Sequence, residues 1–122
     1  MRATILVVDD DAQVRDLVVR FLRREGYATV TASNGRDALA IVSRHPPDLV
    51  LLDVEMPKMS GPEVCAALKA APDTRDIPVL MMSGRELGEV EGYALMDECA
   101  GFFRKPFSGR ALLERMKEML GE

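Results

Sequence analysis

The sequence predicts an α/β fold built on a doubly wound, five-stranded parallel sheet with five helices, and three observations carry that expectation. Short apolar runs alternate with amphipathic helical stretches about every two dozen residues, five times along the 122-residue chain. The runs are apolar without interruption, as in Val50-Leu51-Leu52, which suits strands buried on both faces. Parallel neighbours need crossover connections, and the helices between the runs supply them. A chain of this length with 48% apolar residues builds one ordinary core and is too short for two, so residues 1–122 read as a single domain.

Taken in order, Thr4 to Val8 (TILVV) is the first strand and ends in Asp9-Asp10-Asp11. Asp11 is placed to cap the helix that follows, whose Val14, Leu17, Val18, Phe21 and Leu22 recur at helical spacing up to Gly26. Tyr27 to Ala32 is the second strand. Asn34 caps the second helix, where Ala38, Leu39, Ile41 and Val42 form the apolar stripe before Pro46-Pro47 stops it. Asp48 to Asp53 is the third strand, and a helix from near Pro62 carries Val64, Ala67 and Leu68 up to Pro72. Ile77 to Met82 is the fourth strand. The helix expected over Glu86 to Ala100 is the weakest element, because Gly88 and Gly92 both lower its propensity. Gly101 to Arg104 is the fifth strand, and a Ser108-capped helix turns Leu112, Leu113, Met116 and Leu120 inward.

Composition removes several function classes. A formal charge of -4 with interspersed signs argues against this domain gripping a phosphate backbone, which needs a clustered basic face. No apolar stretch is long enough to span a bilayer. Cys65 and Cys99 sit inside amphipathic patterns with no secretory segment ahead of them, so neither a disulfide framework nor a zinc site is suggested, and the reducing cytoplasm is the expected compartment.

The acids at strand ends are more informative. In open α/β sheets, ligands bind beyond the carboxyl ends of the strands where the strand order reverses, which for order 2-1-3-4-5 lies between the first and third strands. The first strand ends in Asp9-Asp10 and the third in Asp53. Carboxylates brought together in a dry crevice repel and raise one another's pKa unless a cation neutralises them, and an oxygen-only cluster suits a small hard ion such as Mg2+. The fourth strand leads into Ser83 and the fifth into Lys105. Singly, each admits a plain reading, Ser83 as a turn residue and Lys105 as a surface cation. Their convergence on one sheet edge is what points to a site.

These residues resemble the receiver domain of bacterial response regulators, the phosphorylated half of two-component signalling, and the resemblance covers the whole chain. It is carried by the pair Asp9-Asp10, the D-x-x-M-P-x-x-x-G loop from Asp53 to Gly61, the hydroxyl of Ser83 and the K-P-F of Lys105 to Phe107. The resemblance implies a flavodoxin-like fold and makes Asp53 the phosphoacceptor, with Ser83 and Lys105 holding phosphoryl oxygens. It implies that Asp10, Asp53 and the Glu55 backbone carbonyl bind Mg2+, with Asp9 acting directly or through water. It also implies a sensor histidine kinase or phosphotransfer protein as donor. The output would be a downstream target or fused output domain, reached through the fourth helix, fifth strand and fifth helix of a monomer or a phosphorylation-dependent dimer.

Several positions depart from the family pattern. Phe102 stands where tyrosine is common, so aromatic switching there would rest on packing alone. Gly84 stands where alanine is frequent. Cys99-Ala100-Gly101 lacks the acids found in many winged-helix members, which disfavours their salt-bridged dimer. Glu55 and Arg85 are expected to pair across the crevice and hinder the water that hydrolyses an acyl phosphate. The competing reading is a Mg2+-dependent phosphohydrolase with an aspartyl nucleophile, for which Glu55 would be the general acid. Met56-Pro57 replaces the small hydroxyl residue usual there, and no cap insertion encloses a substrate.

Overall fold

The computed structural model describes residues 3–84, 101–105 and 108–122. Strands β1 (Thr4–Val8), β2 (Ala28–Ala32), β3 (Leu49–Asp53), β4 (Val79–Ser83) and β5 (Gly101–Arg104) form one sheet of order β2-β1-β3-β4-β5. Every pairing is parallel. Helices α1 (Ala12–Arg24), α2 (Gly35–Arg44) and α3 (Gly61–Ala70) connect the first four strands, and α4 (Gly109–Leu120) follows β5. The helix expected over 86–100 lies outside the described residues, as do Arg85, Pro106 and Phe107. This is the flavodoxin-like, doubly wound arrangement that the alternation of elements predicts.

Side chains alternate across a strand, so a sheet covered on both faces needs two separate cores. On one face Ile5, Val7, Leu49, Leu51, Leu80 and Met82 pack against Val18 and Leu22 of α1 and Leu112 and Met116 of α4. On the other, Leu6, Val8, Val50, Leu52, Val79 and Met81 meet Ala38 and Val42 of α2 and Val64 and Leu68 of α3. Each large aliphatic side chain so buried contributes about 1.5–3 kcal/mol, which fixes the register of the central strands. The edge strand β2 is more open, with only Ala32 buried.

The caps fall where the sequence puts them. Asp11 accepts from the amides of Gln13 and Val14, Asn34 from Asp37 and Ser108 from Ala111. Ser60 and Glu63 add a reciprocal capping box that sets the first turn of α3. Gly26 takes a positive φ of 95° after α1, and Gly121, at φ 76°, ends α4 in the left-handed region. Three strands start later than expected, β2 and β3 by one residue and β4 by two. The Tyr27 amide bonds back to Leu22 at the end of α1, and the Ile77 amide bonds to Thr74 in the preceding turn while Pro78 has no N–H to offer a ladder. Cys65 is fully buried and disulfide-bonded, where the sequence expects a reduced thiol; spacing along the chain gives no sign of such a bond outside known frameworks, and Cys99 lies outside the described residues. No helix among the described residues is long and apolar enough to cross a membrane.

Candidate functional site

Parallel pairing sends the carboxyl ends of all strands to one edge of the sheet. Val8 is level with Leu52, Asp53 with Met82, and Ser83 with Arg104. Asp9 therefore follows β1, Asp53 closes β3, Ser83 closes β4 and Lys105 follows β5, all at the same edge. Backbone bonds carry the order one residue past the strands: the Val54 amide donates to the Met82 carbonyl at 2.9 Å and the Lys105 amide to the Ser83 carbonyl at 2.7 Å.

The Lys105 ammonium lies 3.2 Å from Asp9 Oδ2 and 3.2 Å from Asp53 Oδ1, tying residues 96 and 52 positions apart. Asp9 is 1% exposed and Asp53 4%. Asp9 is held from three sides. Its Oδ1 accepts the Asp11 amide at 2.9 Å, Lys105 takes Oδ2, and the Arg15 guanidinium donates to its carbonyl at 2.8 Å. Burial pushes the Asp53 carboxyl up to about 6, helped by the nearby Asp9 charge and opposed by Lys105 and the Glu55 amide. Burial pulls Lys105 the other way, but the charges and hydrogen bonds of Asp53 and Asp9 outweigh it and hold its pKa above the ordinary lysine value.

Asp9, Asp10 and Asp53 each offer a carboxylate oxygen within 4.8 Å of the other two. Among the described residues, three acids against the Lys105 ammonium and the Arg15 guanidinium leave the pocket short of positive charge, and the donors are all hard oxygens. That donor set fits a small divalent cation of the Mg2+ type. The Glu55 carboxylate stands apart from this group and accepts a hydrogen bond from the Ser83 hydroxyl at 2.5 Å. The resemblance assigns the Glu55 backbone carbonyl, rather than this carboxylate, to the metal. The pairing expected between Glu55 and Arg85 lies outside the described residues.

The loop from Asp53 to Gly61 is set by a close approach. A Cβ on Gly61 would stand 2.5 Å from the Asp53 carbonyl oxygen and 2.8 Å from the Val54 Cα, so only glycine lets α3 begin against the end of β3. Lys58, at φ 68°, makes the left-handed turn that brings the chain back. A Cβ on Gly84 would meet nothing among the described residues, and Phe102 is half-buried against the core between the sheet and helices α2 and α3. Arg15 escaped the sequence reading, and Ser83 was not foreseen as a partner of the Glu55 carboxylate. Arg15 sits on the first helix where an arginine is unremarkable, and nothing in spacing tells which way Glu55 turns.

The profile of the response regulator receiver domain family matches residues 5–117. The chain is 38% identical over 120 residues to Response regulator MprA of Mycolicibacterium vanbaalenii, covering 98% of this chain and 51% of that protein. It is 37% identical over 119 residues to the phosphate regulon transcriptional regulatory protein PhoB of Pseudomonas aeruginosa, covering 96% and 51%. The chain thus spans about half the length of these curated relatives. Among solved structures, chemotaxis protein CheY4 of Vibrio cholerae superposes with a TM-score of 0.87 at 31% identity, covering 98% of this chain and 99% of that one. The receiver domain of NtrX from Brucella abortus gives 0.86 at 32% identity, covering 96% and 98%.

Proposed function

Because the chain belongs to the response regulator receiver domain family, we propose that it is a phosphorylation-driven switch whose phosphoacceptor is Asp53. The observation that carries this reading is the buried Asp53 carboxylate held 3.2 Å from the Lys105 ammonium in a pocket shared with Asp9 and Asp10. A donor phosphohistidine, on a sensor histidine kinase or a phosphotransfer protein, presents its phosphorus in line with an Asp53 oxygen. The P–O bond forms as the P–N bond breaks, the electron pair of that bond stays on the imidazole, and the product is an acyl phosphate.

The residues around Asp53 prepare that step. With its pKa near 6, Asp53 is mainly ionised at pH 7 and is the attacking base. Lys105 already bridges Asp9 and Asp53, so its ammonium is in place for an oxygen of the arriving phosphoryl group. Ser83, fully buried at the end of β4, supplies a hydroxyl donor. Held by Asp9, Asp10, Asp53 and the Glu55 carbonyl, Mg2+ would neutralise charge on the transferring group.

The signal leaves as a population shift. A phosphoryl group that recruits the Ser83 hydroxyl and Lys105 favours one packing of the β4 and β5 ends, and that face is read by a target protein or a fused output domain. The domain acts on its own acyl phosphate rather than on a free substrate, works in the cytoplasm and makes no nucleic-acid contact of its own. The test is incubation with acetyl phosphate or beryllofluoride and Mg2+, comparing the natural chain with Asp53→Asn. Gain of one phosphoryl group by intact mass, and amide shifts around Ser83 and Lys105, are expected only with Asp53. The same response from both proteins would refute the assignment, and turnover of a small phosphate ester would favour a phosphohydrolase.

A further inference from the structure

Glu55 enters the family pattern only through its backbone, yet its side chain makes a close polar contact at the end of β4. The Ser83 hydroxyl donates to Glu55 Oε1 at 2.5 Å. Ser83 is fully buried, whereas Glu55 is an exposed loop residue, so the carboxylate has folded back from the surface onto a buried donor. A serine hydroxyl carries a single proton. While that proton points at Glu55, it is not directed at a phosphoryl oxygen on Asp53.

We propose that Glu55 is a positioning residue that occupies the Ser83 proton in the resting protein, so that a phosphoryl group recruits Ser83 only by displacing the Glu55 carboxylate. The proposal rests on the reading of Asp53 as phosphoacceptor. Both bonds in the exchange are charge-assisted and both acceptors are anionic. The phosphoryl oxygen therefore replaces a strong bond with another strong bond, and the switch draws only on their difference. Repulsion between the two anions couples the steps: capture of Ser83 and release of Glu55 from it happen together. The contact is a latch whose strength sets how far phosphorylation moves the β4 end.

Removing Glu55 also removes a negative charge near an anion site, so a single variant does not isolate the contact, and a double-mutant cycle does. The measurement is the beryllofluoride dissociation constant of the full chain in saturating Mg2+, by calorimetry or amide shifts. Glu55→Ala is expected to tighten binding about three- to tenfold where Ser83 is present, and much less in the Ser83→Ala background. Glu55→Gln, which keeps a neutral acceptor, falls between. Equal tightening in both backgrounds means that Glu55 acts by charge alone and overturns the proposal, as does no tightening where Ser83 is present. Failure of the underlying reading looks different: the natural chain would show no beryllofluoride binding that depends on Asp53.

Discussion

Asp48 and Asp53 stand at the two ends of β3, and their fates differ. Asp48 is exposed and does a structural job: its carboxylate accepts the Thr4 amide at 2.8 Å while its own amide donates to the Thr4 carbonyl at 2.9 Å, starting the pairing of β1 with β3. Asp53 is buried, is pushed up to about 6 in pKa and faces an ammonium brought from the far end of the chain. Same side chain, same strand, opposite consequence. What separates them is the company each strand end keeps. At the amino end a strand meets the loop returning from a helix, and water remains at hand. At the carboxyl end Asp9, Ser83 and Lys105 arrive from three other strands and shut water out.

Exchanging the carboxylates for amides should separate the two ends most sharply. Asp53→Asn is expected to abolish acceptance of a phosphoryl group from acetyl phosphate, read by intact mass, whereas Asp48→Asn leaves it within about twofold, as expected for a surface position. A pH series of chemical unfolding sharpens the contrast. Asp53 holds its proton up to about pH 6 when folded and releases it near the ordinary aspartate value of 3.8 when unfolded. Between those values the folded state binds the extra proton, so this carboxyl favours folding at low pH and opposes it above pH 6, by about 3 kcal/mol. Asp53→Asn should therefore unfold at higher denaturant than the natural chain at pH 7, by up to that amount, and the gap should close towards pH 4. A gap that stays constant with pH would mean that Asp53 titrates as it does in the unfolded chain.

Smaller effects follow from the backbone around each acid. Gly61→Ala drives a methyl group into the Asp53 carbonyl and should cost about 1–3 kcal/mol, with a matching loss of acceptor activity as β3 shifts. Asp48→Ala removes one exposed hydrogen bond and should cost about 1 kcal/mol with no change in phosphorylation. Gly84→Ala meets nothing among the described residues, so stability should stay within about 0.5 kcal/mol. A slower loss of the acyl phosphate in that variant would show that the bare backbone at Gly84 leaves room for water.

Much of this was legible along the chain. The apolar runs locate the strands, with β1 and β5 bounded as the periodicity suggests, and Asp11, Asn34 and Ser108 announce the helix starts. The late starts of β2 and β4 were not legible, because Tyr27 and Ile77 have strand-like side chains whose amides are claimed by neighbouring turns. Asp9, Asp10, Asp53, Ser83 and Lys105 could be picked out because each follows an apolar run. Arg15 could not, nor could the bond between Ser83 and the Glu55 carboxylate, since such partners are chosen by direction in space.

The sequence by itself determined which segments are strands and helices, and therefore which edge of the sheet carries the acids. These are consequences of local period and composition, readable within a few residues. Only the tertiary structure decided that Lys105 bridges Asp9 and Asp53, that Asp53 is dry enough to hold its proton to about pH 6, and that the Ser83 hydroxyl donates a hydrogen bond to Glu55. Distance, desolvation and hydrogen-bond direction depend on groups that meet only when the crossovers close, and no stretch of chain contains them all.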